Sequence, residues 1–349
     1  IQRYEPINAS ILCDRIEEII AQTGQNGFHF VDEAAPPALM RDLAIEILRR
    51  GLSVVWWTNI RFESSFTADL CKLLRASGCI AVSGGLEVAS DRLLELIKKG
   101  VTVGQVCNHF THSGIMVHAY LMYGFPTQTA QETIDSLEMV RQLFESGVLQ
   151  SGFWHRFAMT AHSPVGLAPD LFKVKNAVSG LGRFANNELQ HEDPTGADHD
   201  LFGEGLRKSL FNYMHGIGFD VPLHQWFDHQ VPSSSIPKRY IEKELQEEQF
   251  LLKDQQRIIW IGEQPELVPS EEEGFAELIF SGKKEDFALE LPEEFAEWVY
   301  SFLENVGYQN QLQRLKSIKE DYEEKLGDFS ELAESEVWQI LRENGLLIF

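Results

Sequence analysis

The chain has 349 residues, 44% hydrophobic and 24% charged, a globular balance that excludes a collagen, a long coiled coil or a wholly disordered protein. Its 30 basic and 53 acidic side chains leave a formal charge of −23, which argues against nucleic acid or an anionic membrane as partner. The excess is concentrated, because residues 236–349 hold 12 Lys and Arg against 27 Asp and Glu, so a separate, heavily solvated module is expected there.

Over the first 160 residues, short apolar runs alternate with helical periodicity. Gly27 to Glu33 reads as a strand ending in carboxylates. Pro37 to Arg50 has helical apolar spacing and stops at Gly51. Ser53 to Asn59 is a second strand, Ala68 to Ser77 a helix, and Cys79 to Gly85 a third strand that ends in two glycines before Glu87. A helix over 91–98 is expected to stop at Gly100, with another over 102–112. Ile115 to Tyr123 is a fourth strand, Thr129 or Thr127 caps a helix reaching Glu145, and Phe153 to Thr160 is a fifth strand. This alternation predicts βαβ units and a parallel sheet, either an open barrel or a doubly wound sheet. The near-continuous apolar strands predict that both sheet faces are covered.

Residues 161–235 are rich in loops, apart from a helix expected at Gly205 to Gly216, and Val231 to Pro237 is the best linker. Beyond it the pattern predicts a helix over 238–254, strands at Arg257–Gly262, Phe275–Phe280 and Phe287–Leu291, a helix from Pro292 to Asn305, and a last helix over 331–343 before an edge strand. A small α+β or winged-helix-like domain is expected there, in a structural or protein-contact role because its last helix is acidic. Trp260, Trp298 and Trp338 are expected in its core.

The four cysteines, Cys13, Cys71, Cys79 and Cys107, show no metal-ligand spacing and are too few for a disulfide scaffold, which points to a reducing, cytoplasmic setting. No apolar run approaches the ~18 residues of a membrane span. The chain opens at Ile1 with neither an initiator Met nor a signal-peptide pattern, so it is expected to be part of a longer protein.

In a parallel α/β sheet, chemistry gathers at the C-terminal strand ends. Asp32 and Glu33, Asn59 and Arg61, Gly84-Gly85 with Glu87, and Gly124-Phe125-Pro126 all fall at such ends. Two adjacent acids can hold an amine, Arg61 can pair with a carboxylate, Glu87 can accept from a ribose, and a bare backbone beside an aromatic face suits adenine. The set suits a zwitterionic amino-acid nucleoside. His155, Arg156, Thr160 and His162 follow on the same rim as substrate candidates. The stretch from His191 to Asp200 is rich in metal-capable side chains but lacks EF-hand spacing, and reads as a solvated loop.

Three stretches carry a family resemblance: Phe28-His29-Phe30-Val31-Asp32-Glu33, Gly85-Leu86-Glu87 with Leu94 to Gly100, and Gly114 to Thr129 through Tyr123-Gly124-Phe125-Pro126-Thr127. In order and spacing they resemble radical S-adenosylmethionine (radical SAM) enzymes, in the group that often carries an upstream cobalamin-binding domain, over roughly residues 10–165. The resemblance implies a partial (β/α) TIM-like barrel. It implies Asp32 and Glu33 near the methionine amine, Asn59 and Arg61 as polar contacts, Glu87 on the ribose, and Gly124, Phe125 and Pro126 beside the adenine. The cofactors implied are S-adenosylmethionine, a 4Fe–4S cluster and, for some members, cobalamin. The family's CxxxCxxC cluster motif is absent from Ile1 to Asn26. This chain is therefore expected to be the C-terminal part of an enzyme that cleaves S-adenosylmethionine reductively, and to be inactive alone. Cys13 is expected to be a core residue.

Two other readings stay open: a metal-dependent hydrolase or isomerase using His29, Asp32, Glu33, His118 or His162, and a cluster-free nucleoside-binding module. His29 and His118 are expected to face helices. The division anticipated is a barrel portion over 1–165, a loop-rich extension over 166–235 and an acidic α+β domain over 236–349. The expected partner is a small-molecule substrate, with a protein contact through the acidic domain.

Overall fold

The computed structural model describes residues 7–31, 34–86, 93–176, 187–194, 196–245, 251–281 and 286–349, without the side chains of 93–101. Its first half is a regular alternation. Helix α1 (Ala9–Thr23) is capped by the Asn8 side chain and closed by Gly24 in the left-handed region. Strand β1 (Gly27–Phe30), α2 (Pro37–Arg49), β2 (Val55–Ile60), α3 (Ala68–Ala76), β3 (Cys79–Leu86), α4 (Leu93–His112), β4 (Met116–Tyr123), α5 (Ala130–Glu145) and β5 (Ser151–Arg156) follow. A full capping box between Thr129 and Glu132 starts α5.

The five strands pair in parallel in chain order, β1-β2-β3-β4-β5. Parallel crossovers are right-handed, so an order that never reverses winds every helix onto the same side. The sheet is thus singly wound, and α1 to α5 pack side by side along one face. Burial follows: in β2 Trp56, Thr58 and Ile60 point into the helix layer, while Val55 and Trp57 are exposed. In β4 Val117, Ala119 and Leu121 are buried and Met116 and Tyr120 are exposed. Among the described residues only one face is covered, not both as the apolar strands suggested. His29 and His118, expected to face helices, lie on the uncovered face, because strand side chains alternate.

Three boundaries differ from expectation. A single α4 runs through Gly100 and Gly104. A glycine costs a helix interior about 1 kcal/mol, but a Cβ on Gly104 would stand 3.3 Å from Leu143 and 3.4 Å from Leu245, so that position serves close packing. Strand β5 stops at Arg156, and Thr160 instead bridges to Glu188. The helix expected over 238–254 is described only at Tyr240–Glu244, and 246–250 lie outside the described residues.

The helix Gly203–Met214 packs Leu206 and Leu210 against the outer face of β5, and Ile236 and Ile241 join the same core. A second core gathers Trp260, Trp298 and Trp338 between two three-stranded antiparallel sheets and the helices Glu293–Asn305, Leu315–Lys325, Phe329–Glu334 and Glu336–Asn344. The strand Glu266–Pro269 and the helix Leu315–Lys325 were not anticipated, and the expected last helix breaks at Ser335, which caps its second segment.

The two cores meet at the strand pair Arg257–Trp260 and Leu346–Ile348, where Ile259 and Leu347 face the first core while Ile258 and Ile348 face the second. Asp69, 3% exposed in the first turn of α3, accepts from the Ile348 N–H at 2.8 Å and pairs with Arg342 at 2.5 Å. Arg49 donates to the carbonyls of Tyr308, at 2.7 Å, and Asn310. Among the described residues no helix is long and apolar enough to cross a membrane.

Candidate functional site

The C-terminal ends of β1 to β5 form one rim, since the strands are parallel and adjacent. Asn59 lies on the last turn of β2, half-buried, and its carbonyl accepts from the Ala35 N–H at 2.9 Å. Arg61 follows directly, exposed, and makes no ion pair with a described residue. Asp32, Glu33 and Glu87 lie outside the described residues; the strands leading to them, ending at Phe30 and Leu86, belong to this rim. Strand β3 runs through both glycines rather than ending at them. A Cβ on Gly84 would meet the Phe62 ring at 2.6 Å, so Gly84 is a packing glycine, and Gly85 is the one that alternation turns to the uncovered face, beside Tyr120.

The turn after β4 is tightly engaged. Gly124 has φ +77° and Thr127, unusually for a β-branched residue, φ +69°. The Gln128 side-chain oxygen accepts from the N–H of Gly124 at 2.6 Å and of Phe125 at 3.3 Å. Asp193 accepts from the N–H of Thr127 at 2.6 Å and of Gly196 at 2.9 Å. The His199 ring closes over Gly124, where a Cβ would stand 3.3 Å from its Cγ. Burial holds His199 below the usual imidazole pKa, against the opposing pull of Asp193. Pro126 is buried, and the Phe125 ring packs edge-on against Phe157, at 5.1 Å, and Phe172, at 6.3 Å, in a small cluster with Met159, Val165 and Val174. The backbone N–H groups and aromatic ring read as bare in the sequence therefore have partners inside the protein.

The substrate candidates separate. His155 is exposed on the uncovered face, against Phe153 at 4.6 Å and Tyr120 at 6.0 Å. Its neighbour Arg156 alternates to the other side and pairs with Asp200. Thr160 is held in its bridge to Glu188, its carbonyl accepting from the Ser163 hydroxyl at 2.8 Å, and His162 is exposed in the turn beyond. The rim and uncovered face thus bring together Asn59, Arg61, Gly85 and His155.

Sequence reasoning passed over Trp57, whose indole N–H donates to the Ser83 hydroxyl at 2.9 Å, Tyr120 and Phe153, which line this face below the rim with His118, a candidate metal ligand whose Nδ1 instead lies 2.8 Å from the Ser151 hydroxyl. The alternation of His118, Tyr120 and Met122 with Val117, Ala119 and Leu121 carried the signal.

The cysteines are elsewhere. All four are free and fully buried. Desolvation pushes the Cys13 thiol up to about 11 and raises those of Cys71, Cys79 and Cys107 well above their ordinary value. Among the described residues no group of three His, Cys, Asp or Glu could hold a metal ion. His29 stacks on Trp57, and His118 sits with Ser151.

No family model matches the chain. It is 30% identical over 105 residues to an uncharacterized methyltransferase of Pyrococcus horikoshii, covering 29% of this chain and 23% of that protein. It is 29% identical over 138 residues to the anaerobic magnesium-protoporphyrin IX monomethyl ester cyclase of Rubrivivax gelatinosus, covering 37% and 24%. The match thus spans about a quarter of the length of each curated relative. Among solved structures, it is similar to the radical S-adenosylmethionine methyltransferase TsrM of Kitasatospora setae. The form with cobalamin and a 4Fe–4S cluster superposes with a TM-score of 0.45 at 16% identity, over 60% of this chain and 47% of that one. The form with tryptophan and a SAM analogue gives 0.43, again at 16% identity, over 60% and 46%. The chain is thus similar, over about a third of its length, to a methyltransferase-like protein and to a magnesium-protoporphyrin cyclase.

Proposed function

We propose that this chain forms the S-adenosylmethionine-binding rim of a radical SAM enzyme built on a partial (β/α) barrel. The observation that supports it most is the singly wound order β1-β2-β3-β4-β5, which sets the C-terminal ends of the strands that lead to the motif positions side by side. Arg61, exposed and without a described ion-pair partner, would hold the methionine carboxylate, with Asn59 beside it. Asp32 and Glu33 would take the amine and Glu87 the ribose, and the turn Gly124-Phe125-Pro126, whose first two N–H groups Gln128 already holds, would border the adenine without donating to it. S-adenosylmethionine supplies a reactive sulfonium; the residues here bind it, orient it and keep water from it.

The 4Fe–4S cluster does not fit the residues present. Its thiolates must be deprotonated and accessible, and all four cysteines are buried, with raised pKa values. We derive no step through the cluster, and assign both it and cobalamin to the larger protein. The division into a barrel portion (1–165), an extension (166–235) and an acidic domain (236–349) belongs to the same proposal, with a protein contact as the acidic domain's role.

The test is titration calorimetry of the chain with S-adenosylmethionine. Removing one charge-assisted contact typically costs about 1.5–3 kcal/mol, so Arg61→Ala and Glu87→Gln should each weaken binding about 10- to 100-fold. Absence of binding at millimolar ligand, or binding indifferent to both substitutions, refutes the reading. Release of 5′-deoxyadenosine by a longer protein loaded with iron and sulfide tests the reaction class.

A further inference from the structure

We propose that the uncovered face of the parallel sheet is a seat for a planar aromatic substrate carrying an anionic group, with Trp57, Tyr120 and Phe153 against its ring and His155 at its charged edge. This deepens the function proposed above and rests on it.

The face is apolar where a soluble protein rarely leaves such surface open. Val55, Trp57, Ile80, Met116, Tyr120 and Phe153 are each between 36% and 55% exposed, and all lie on β2 to β5. The rings form two groups: His29 stacks on Trp57 at 4.5 Å, while Tyr120 meets His118 at 5.1 Å and His155 at 6.0 Å, and Phe153 meets His155 at 4.6 Å. Register gives the face its shape. Trp57 and Asn59 on β2 flank Ala81 and Ser83 on β3, which in turn flank Met116 and His118 on β4; Gly85 stands beside Tyr120, and Tyr120 beside Phe153. Aromatic walls therefore stand on β2 and on β4–β5, on either side of the small residues of β3, and the trough opens onto the rim where Asn59 and Arg61 sit.

Charge selects the ligand further. The chain carries −23 overall, yet among the described residues this face bears no carboxylate. Its polar groups are imidazoles, hydroxyls and one amide. Ser83 and Ser151 are engaged by Trp57 and His118, so the donors facing outward are the exposed imidazoles of His29, beside Trp57, and His155, beside Phe153, and the Tyr120 hydroxyl. Flat rings gain from offset and edge contacts with aromatic walls, and an imidazole donor favours an acceptor that carries negative charge. A cation would meet no described counter-charge there.

The experiment uses the whole chain and three probes of matched size: 2-naphthoate, its saturated counterpart decahydro-2-naphthoate, and 2-naphthylmethylammonium. Equilibrium dialysis should show naphthoate binding about 2- to 12-fold more tightly than the saturated acid, the range that aromatic contacts contribute beyond area, and more tightly than the amine. Tyr120→Leu and Phe153→Leu keep the surface apolar and should each remove most of the aromatic preference; His155→Ala should remove the preference for acid over amine. Circular dichroism checks that the variants fold. Equal binding of the aromatic and saturated acids, or aromatic preference unchanged in both leucine variants, overturns the proposal. So does a concentration-dependent dimer in sedimentation velocity that Tyr120→Glu dissolves, which would assign the face to a second copy. Titration with S-adenosylmethionine runs in parallel. If it binds and naphthoate does not, the aromatic seat fails and the rim stands; if naphthoate binds and it does not, the nucleoside reading fails while the seat remains.

Discussion

The junction between the two cores turns on one buried carboxylate. Asp69 lies in the first turn of α3, is 3% exposed, pairs with Arg342 at 2.5 Å and takes the Ile348 N–H at 2.8 Å. Removing one member of a buried pair costs about 3–5 kcal/mol when the other charge is stranded. Arg342 is not fully stranded: its side chain is 18% exposed and it also donates to the Leu346 carbonyl at 2.6 Å. Asp69→Ala is therefore expected to cost about 2–3 kcal/mol, part of it from the unsatisfied Ile348 N–H. Asp69→Asn keeps an acceptor for that N–H and should cost about half as much.

With two cores, one global unfolding free energy is not defined, so the assay is native-state hydrogen exchange read at Ile348 and at the amides of the strand Arg257–Trp260. Exchange should accelerate there while β3 and β4 stay protected. In a double-mutant cycle with Arg342→Met, the coupling energy should exceed about 1.5 kcal/mol. A coupling below about 0.5 kcal/mol, or unchanged protection of Ile348 in Asp69→Ala, would refute the clamp.

Gly124→Ala should destabilise the turn after β4 by about 1–2 kcal/mol, because it places a Cβ at φ +77° and 3.3 Å from His199; a melting temperature equal to wild type contradicts this. Thr127→Gly relieves the strain of a β-branched residue at φ +69°, so stability should hold or rise by up to about 1 kcal/mol despite the added chain entropy, as a denaturant titration will show. Burial, with a smaller contribution from the His155 charge, lowers the His118 pKa below its ordinary 6.5. Between the folded and unfolded pKa values the unfolded chain binds more protons, so stability should fall as pH drops below 6.5 and level off beneath the folded value. His118→Gln should make that slope shallower; an unchanged slope counts against it. All four thiols should resist a thiol reagent in the native protein and react once it is denatured, because each is buried and protonated; fast native labelling would contradict the packing.

The strand and helix alternation was legible because period 2 and period 3.6 are local properties, and glycine stops and threonine caps mark the ends. Thr129, for example, does cap α5. What local reasoning misjudged was Gly100, where a Lys-Lys-Gly stop signal is overridden inside a 20-residue helix, and the short charged helix Leu315–Lys325, held by Leu315 and Ile318 in the second core. Arg61 and Gly124 could be set just beyond strand ends from sequence alone, because a parallel strand has only one C-terminal end, whereas Gly84 and Gly85 lie inside β3.

Whether a glycine there is open could not be read from sequence. Gly84 is filled by Phe62, the Gly124 N–H is taken by Gln128, and Phe125 is turned into a cluster with residues as distant in sequence as Val174 and Leu189. Sequence by itself determined that the first half alternates strand and helix and that the second carries the charge. Tertiary structure decided that the sheet winds one way only, leaving Trp57, His118, Tyr120 and Phe153 uncovered, because which side a crossover packs on depends on strand order and handedness, and no single segment encodes either.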